Sequence, residues 1–324
     1  MKTIIKSKIT YLILIIIILL SAMGNVCLYN RLQQIDSFAC VEFPDANTRE
    51  NYESIHHVKA VQTAAKGEGV KVGILDWCFG FGDHEDLYAG GRDFTTYEGH
   101  DDTFSHVSEH GYWMAKTLKE IAPEVEIYAL GTYVSDDESQ WVDAMIEGIQ
   151  WAMANDIDIL TLSHEPVSEE NRERFDVAVD EAIAAGIVTT FIHYDNPDNI
   201  LPWGIWNEQR EYVDGCAIYN RDADINIFQY DYNTLFLRNY EETSKRSDFE
   251  EVYQAELFTS VSSMSVVTAG FVAILMDIND TLTPAQYKQV LIDTSRPLEY
   301  QGERAEHVVD MEAAVTYLQN HFSQ

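Results

Sequence analysis

The chain has 324 residues, 46% of them hydrophobic, and carries 54 acidic against 21 basic side chains for a formal net charge of -33. A chain of this size and apolar content buries a large core, which we read as one big α/β domain. Charge of this sign excludes nucleic acid and anionic membrane surfaces as partners, and reads as a solvated coat with attraction of basic peptides as the functional alternative.

At the N-terminus, Lys2, Lys6 and Lys8 precede an uncharged apolar run over residues 9–23, and Ala22-Met23-Gly24 supplies the small residues a signal peptidase requires. Residues 1–24 therefore read as a signal peptide cut after Gly24, or, with the weakly polar continuation through Leu28, as an uncleaved membrane anchor. Both readings give one orientation, so the protein is expected to be secreted or held at the outer face of the cytoplasmic membrane. Residues 25–51 form a polar extension containing Pro44 and Asn47, and the folded domain is expected over residues 52–324. The adjacent His56 and His57 read as a surface feature of a helix rather than as ligands.

Four cysteines, Cys27, Cys40, Cys78 and Cys216, lie beyond that cleavage point. In an exported protein they allow two disulfides in three connectivities. Cys27 with Cys40 is the sequence-local pair; for Cys78 the reading is open between a bond to Cys216 and a buried free thiol. No cysteine or histidine spacing matches a metal site.

From Val70 onwards, strand and helix patterns alternate. Residues 70–75, 125–130, 157–162 and 187–192 are β-branched and apolar on both faces, as strands of a covered parallel sheet are. Between them, Val142, Met145, Ile146, Ile149, Ala152 and Met153 share one helical face. A second helix opens at Ser168 with Glu169 and Glu170 and stops at Gly186. Residues 197–256 are rich in aromatics that alternate in places with polar residues, which suggests strands or hairpins. Thr283-Pro284-Ala285-Gln286 is a capping box opening a helix through Ile292. The alternation predicts a doubly wound, mostly parallel sheet with helices on both faces, whose sites form at the C-terminal strand ends. Asp76, directly after Leu75, stands at one such end.

Three stretches carry chemistry. VKVGILDWCFGFGDHED (residues 70–86) delivers Asp76 from a strand, EHGYWMAKTLKEIAP (109–123) places His110 at a helix start, and FTSVSSMSVVTAGFVAIL (258–275) runs a serine cluster into a small-residue helix. A serine in a first helical turn has unsatisfied backbone N–H groups and the positive end of the macrodipole beside it, which suit a developing oxyanion. Each residue alone has an ordinary reading: Asp76 caps a loop, His110 begins a surface helix, Ser262, Ser263 or Ser265 caps a helix.

Together, in the order Asp, His, Ser, the stretches resemble the subtilisin-like serine peptidases, the subtilases. The resemblance rests on Asp76 with the following His84, Asp86, Leu87 and Ala89-Gly90-Gly91; on His110, Gly111 and Ala115; and on Ala122, Pro123, Ile127, Tyr128 and Ala129. It continues in Ser260 through Gly270, with Ser262 in the nucleophile's place, and in Val309 through Ala314, and is thin over residues 197–256. It implies an exported serine endopeptidase acting on peptide or protein substrates through Asp76, His110 and Ser262, with no cofactor. Ser163, after the strand at 157–162, takes the place of the edge segment that pairs with substrate backbone, where His164 and Glu165 replace small residues. The side-chain oxyanion donor falls on Asp195 without gaps and on Asn196 with a one-residue insertion. Departures also surround the triad: Trp77-Cys78 for a small pair, Ser260-Val261 for Gly-Thr, and Val266-Val267 for Pro-His. They keep a second reading open, a catalytically impaired subtilase-fold protein that binds a peptide or protein partner. The helix from His110 reaches Pro123 without the insertion that bears a calcium loop, and no folded propeptide fits before residue 52.

Overall fold

The computed structural model describes residues 56–95, 103–132, 137–164, 166, 168–192, 194, 196–205, 224–228, 261–300 and 303–322. The signal or anchor segment, the polar extension, the Cys27–Cys40 pair, Cys216 and most of the aromatic region 197–256 lie outside them.

Helix α1 (Val58–Val61) leads into β1 (Lys71–Asp76), and after a 3-10 turn at Glu85–Leu87 come β2 (Gly90–Asp93), α2 (Thr103–His106) and α3 (His110–Ile121). Then follow β3 (Glu126–Gly131), α4 (Glu138–Ala154), β4 (Ile159–Leu162), α5 (Glu169–Ala184) and β5 (Val188–Thr189). Strands β6 (Pro202–Ile205) and β7 (Ile225–Phe228) precede α6 (Val261–Ile278), α7 (Pro284–Asp293), β8 (Arg296–Tyr300), β9 (Glu303–Val308) and α8 (Met311–Phe322).

The first five strands form one parallel sheet in the order β2-β3-β1-β4-β5. β1 is central, and its alternating side chains split the core. Val72 and Ile74 join a cluster with α3, α6 and α8, while Leu75 joins one with α4 and α5 on the other face. Gly73 is a packing requirement, since a Cβ there would stand 2.8 Å from Leu160 Cδ2 and 3.0 Å from Leu130 Cδ1. The predicted doubly wound sheet is thus present, and β5 is shorter than the sequence suggests. Beyond Thr189 the pairing loosens, with Thr190 N donating to Leu160 O at 3.0 Å and Ile192 N to Leu162 O at 3.4 Å.

The remaining strands form a second sheet in the order β6-β7-β9-β8. β6 and β7 run parallel from Pro202↔Ile225 to Ile205↔Phe228, so these two strands are not a hairpin. The local helix signals are realised. The Thr283 side chain accepts from Gln286 N at 3.3 Å while Gln286 Oε1 accepts from Thr283 N at 2.8 Å. Gly186, at φ 97°, ends the stretch begun at Ser168.

Helix α6 is buried from Ser263 to Leu275 and crosses α3 at a point where only glycine fits. A Cβ on Gly270 would lie 2.6 Å from Ile121 Cγ2 and 3.4 Å from Leu118 Cδ1. Two of its hydroxyls bond within the helix, Ser265 Oγ donating to Ser262 O and Thr268 Oγ1 to Met264 O, at 2.8 Å each.

His56 corrects the surface reading, for it is fully buried. Its ring packs on Phe271 at 5.5 Å, its Nδ1 bonds Val309 O at 2.7 Å, and its carbonyl accepts from Met311 N at 3.0 Å. Beside it, His57 Nδ1 bonds Asp310 Oδ1 at 2.9 Å. Two adjacent histidines cannot reveal from sequence that the C-terminal segment closes over one of them. Burial pushes the His56 imidazole down from 6.5 to about 4, against the raising effect of the Val309 carbonyl. The folded state therefore favours neutral His56. Its contribution is fully present above pH 6.5 and is lost as pH falls through about 4. Denaturant titrations from pH 7 to 4 should show a loss of about 3 kcal/mol from this group alone, as the difference in slope between wild type and His56→Gln.

Candidate active site

Asp76 ends the central strand with its side chain 1% exposed, and Thr132 N donates to its carbonyl at 2.9 Å, continuing the β1–β3 ladder. Its carboxylate accepts from the Trp77 backbone N–H at 2.7 Å and faces His110, whose Nδ1 lies 2.8 Å from each carboxylate oxygen. A buried carboxylate stays charged only with such partners. This bond assigns the proton to Nδ1 and leaves Nε2 as the basic nitrogen of the ring.

His110 is the first residue of α3, and backbone geometry puts it there. A helix start has N–H groups without intrahelical partners. Here Gly111 N donates to Trp77 O at 2.8 Å and Tyr112 N to Cys78 O at 3.4 Å, while Glu109 N, at the N-cap, also donates to Cys78 O at 2.9 Å. The loop after β1 is thus the cap of α3. Cys78 adopts a left-handed φ of 55° there and is buried, and Cys216, its partner in the disulfide reading, lies outside the described residues. The approach requires Gly111, where a Cβ would lie 2.7 Å from Trp77 O and 2.9 Å from the Phe79 ring.

Ser262 lies in the first turn of α6, partly exposed, with its carbonyl accepting from Ser265 Oγ at 2.8 Å. Thr190 Oγ1 donates to Ser265 O at 2.9 Å, which seats that turn at the C-terminal end of β5, on the same sheet edge as Asp76. Gly270 packs on Leu118, and both Ala122 and Ala273 flank Gly67, so α3 and α6 leave this contact in the same sense. Ser262 stands eight residues before Gly270, about 12 Å of helical rise, and His110 stands eight residues before Leu118 and eleven before Ile121.

The other predicted site residues are placed as follows. Ser163, just past β4, has a buried Oγ without a hydrogen-bond partner among the described residues. Asn196 Nδ2 donates to Asp180 Oδ1 at 2.7 Å, and its Oδ1 accepts from Asp198 N at 2.8 Å. The Asp180 contact takes one of its two amide hydrogens. Asp195, the other candidate, lies outside the described residues. Tyr194 also donates to Asp180, at 2.9 Å, and burial holds its phenol well above the usual range. Nearby Asn199 is wholly buried and clips the loop, bonding Phe191 and Tyr194 carbonyls at 3.0 Å each.

An aromatic wall was not legible in the sequence. Trp77 stacks on the His110 imidazole at 4.4 Å and 11°, meets His164 edge-on at 5.6 Å, and His164 meets Trp141 at 5.5 Å. Among the described residues no cluster of three or more His, Cys, Asp or Glu is placed to hold a metal, and no helix is long and apolar enough to cross a membrane.

Solved structures share this arrangement of elements. MycP1 with its N-terminal propeptide removed superposes with a TM-score of 0.56 at 14% identity, over 82% of this chain and 96% of that one. The nisin leader peptidase NisP from Lactococcus lactis superposes at 0.55 with 12% identity, over 83% and 93%. This chain has the subtilisin-like fold. In sequence, the subtilisin-like resemblance extends to Subtilisin DY of Bacillus licheniformis, 32% identical over 133 residues, which are 38% of this chain. The match spans 46% of that relative's length. No family model matches the chain.

Because the α3 cap depends on a missing Cβ, Gly111→Ala should push His110 off Asp76. We expect a loss of about 1–3 kcal/mol in equilibrium unfolding, together with loss of the downfield Nδ1-proton resonance of His110 in NMR spectra.

Proposed function

We propose that the protein is a serine endopeptidase that hydrolyses peptide bonds through Asp76, His110 and Ser262. The observation that carries this reading is the Asp76–His110 hydrogen bond at 2.8 Å, formed at the sheet edge where α6 also begins. The likeness of fold to the nisin leader peptidase NisP supports it, as does the identity with Subtilisin DY.

In this mechanism Ser262 Oγ attacks the substrate carbonyl carbon as His110 Nε2 takes its proton. Asp76, fixed to Nδ1, holds the tautomer and stabilises the imidazolium. His110 then gives the proton to the leaving amine as the C–N bond breaks, and water, activated by the same nitrogen, releases the acyl group. The Ser262 backbone N–H, at the start of α6, faces the oxyanion. Asn196 supplies the side-chain donor through its second amide hydrogen. The substrate chain lies along Ser163, whose buried hydroxyl then gains a partner. Substrates are peptides or proteins outside the cell, reached through export by residues 1–24, which either are cleaved or anchor the chain at the membrane.

A fluorophosphonate probe should label the mature protein and wild type should cleave peptide substrates. Ser262→Ala abolishes both, Ser263→Ala keeps both, and chelator has no effect on either. Asp76→Asn lowers kcat by about 10⁴-fold, and Asn196→Ala by about 10²–10³-fold. Absence of labelling and of cleavage in wild type would leave the fold as a peptide- or protein-binding scaffold.

A further inference from the structure

We propose that Trp77 is a positioning residue that holds the plane of the His110 imidazole through stacking, with His164 and Trp141 as its backing. The inference rests on the reading of His110 as the general base.

The bond to Asp76 fixes one ring atom of His110, and motions that pivot on Nδ1 still tilt the ring plane and swing Nε2 away from a nucleophile. Both carboxylate oxygens are equally close to Nδ1 at 2.8 Å, so the hydrogen bond itself does little to choose among tilts. The indole chooses. It lies 11° from parallel at 4.4 Å, so a tilt drives one edge of the imidazole into its face.

Trp77 is itself held on three sides. Its N–H donates to Asp76 Oδ1 at 2.7 Å, and its carbonyl accepts from Gly111 N at 2.8 Å. Its ring abuts His164 at 76°, and His164 abuts Trp141. Trp141 belongs to the start of α4, where the Asp137 side chain accepts from Ser139 N at 3.0 Å and caps the helix. The row of rings thus runs from a capped helix to the imidazole, which ties the base to a rigid element rather than to a loop. Stacking also suits the charge that His110 acquires, because the indole face attracts a cation and has no lone pair to compete for the proton.

The test compares full-chain wild type with Trp77→Phe, which keeps a π-face, and Trp77→Leu, which keeps apolar bulk without one. For Trp77→Leu we expect kcat to fall roughly tenfold or more while KM changes by less than about threefold. Trp77→Phe should recover most of kcat. In histidine-labelled protein, the His110 ring proton, assigned by its loss in His110→Gln, should lie upfield in wild type and Trp77→Phe and move downfield in Trp77→Leu. The proposal is overturned if Trp77→Leu keeps both kcat and the ring resonance, or if Trp77→Phe is as impaired as Trp77→Leu. An inactive wild type would sink the peptidase reading instead, and the ring resonances alone would then decide whether Trp77 positions His110.

Discussion

The close crossing of α3 and α6 governs the site. Where Gly270 meets Ile121 and Leu118, the two backbones approach within a distance that no larger residue permits. Helices normally pack 8–10 Å apart, and a missing Cβ at Gly270 is what this contact requires. Each helix begins at the C-terminal edge of the parallel sheet. This packing contact deep in the core thus sets the two helices that carry His110 and Ser262 against one another.

The second constraint is the docking of α3 on the loop after β1. Carbonyls of Trp77 and Cys78 receive the N–H groups at the start of α3 that a helix cannot satisfy itself. One set of bonds therefore caps a helix and sets His110 against Asp76. Strand end and helix start act as one unit, which is the preorganisation that proton transfer requires. A carboxylate this deeply buried is costly, and its bonds from Trp77 N–H and His110 offset that cost where they serve the site.

The surroundings of the pair differ from the open, small-residue rim that the subtilase motifs imply. Trp77 and His164 bring rings where small side chains were expected, and Trp141 backs them from α4. Far from this edge, His56 and His57 bind the start of the described chain to the residues just before α8. Closure of the fold thus depends on an imidazole kept neutral, in a protein whose surface charge is strongly negative.

Much of this was written locally in the sequence. Period and composition determined the parallel strands, because a strand covered on both faces must be apolar on both. Capping chemistry determined the ends of α5 and α7, because Gly186 and the Thr283–Gln286 pair satisfy backbone groups within a few residues of themselves. The order and flanks of Asp76, His110 and Ser262 marked the candidate site residues, of which Asp76 and His110 are hydrogen-bonded to one another. Contacts between residues distant in the chain were decided only by the tertiary structure. They include the stack of Trp77 on His110, the burial of His56 beneath Val309, the commitment of Asn196 to Asp180, and the separation of the strands into two sheets. A local pattern reports what a residue needs from its neighbours in sequence; which ring or carboxylate meets it across the core depends on how close two helices can come, and that is a property of the packed whole.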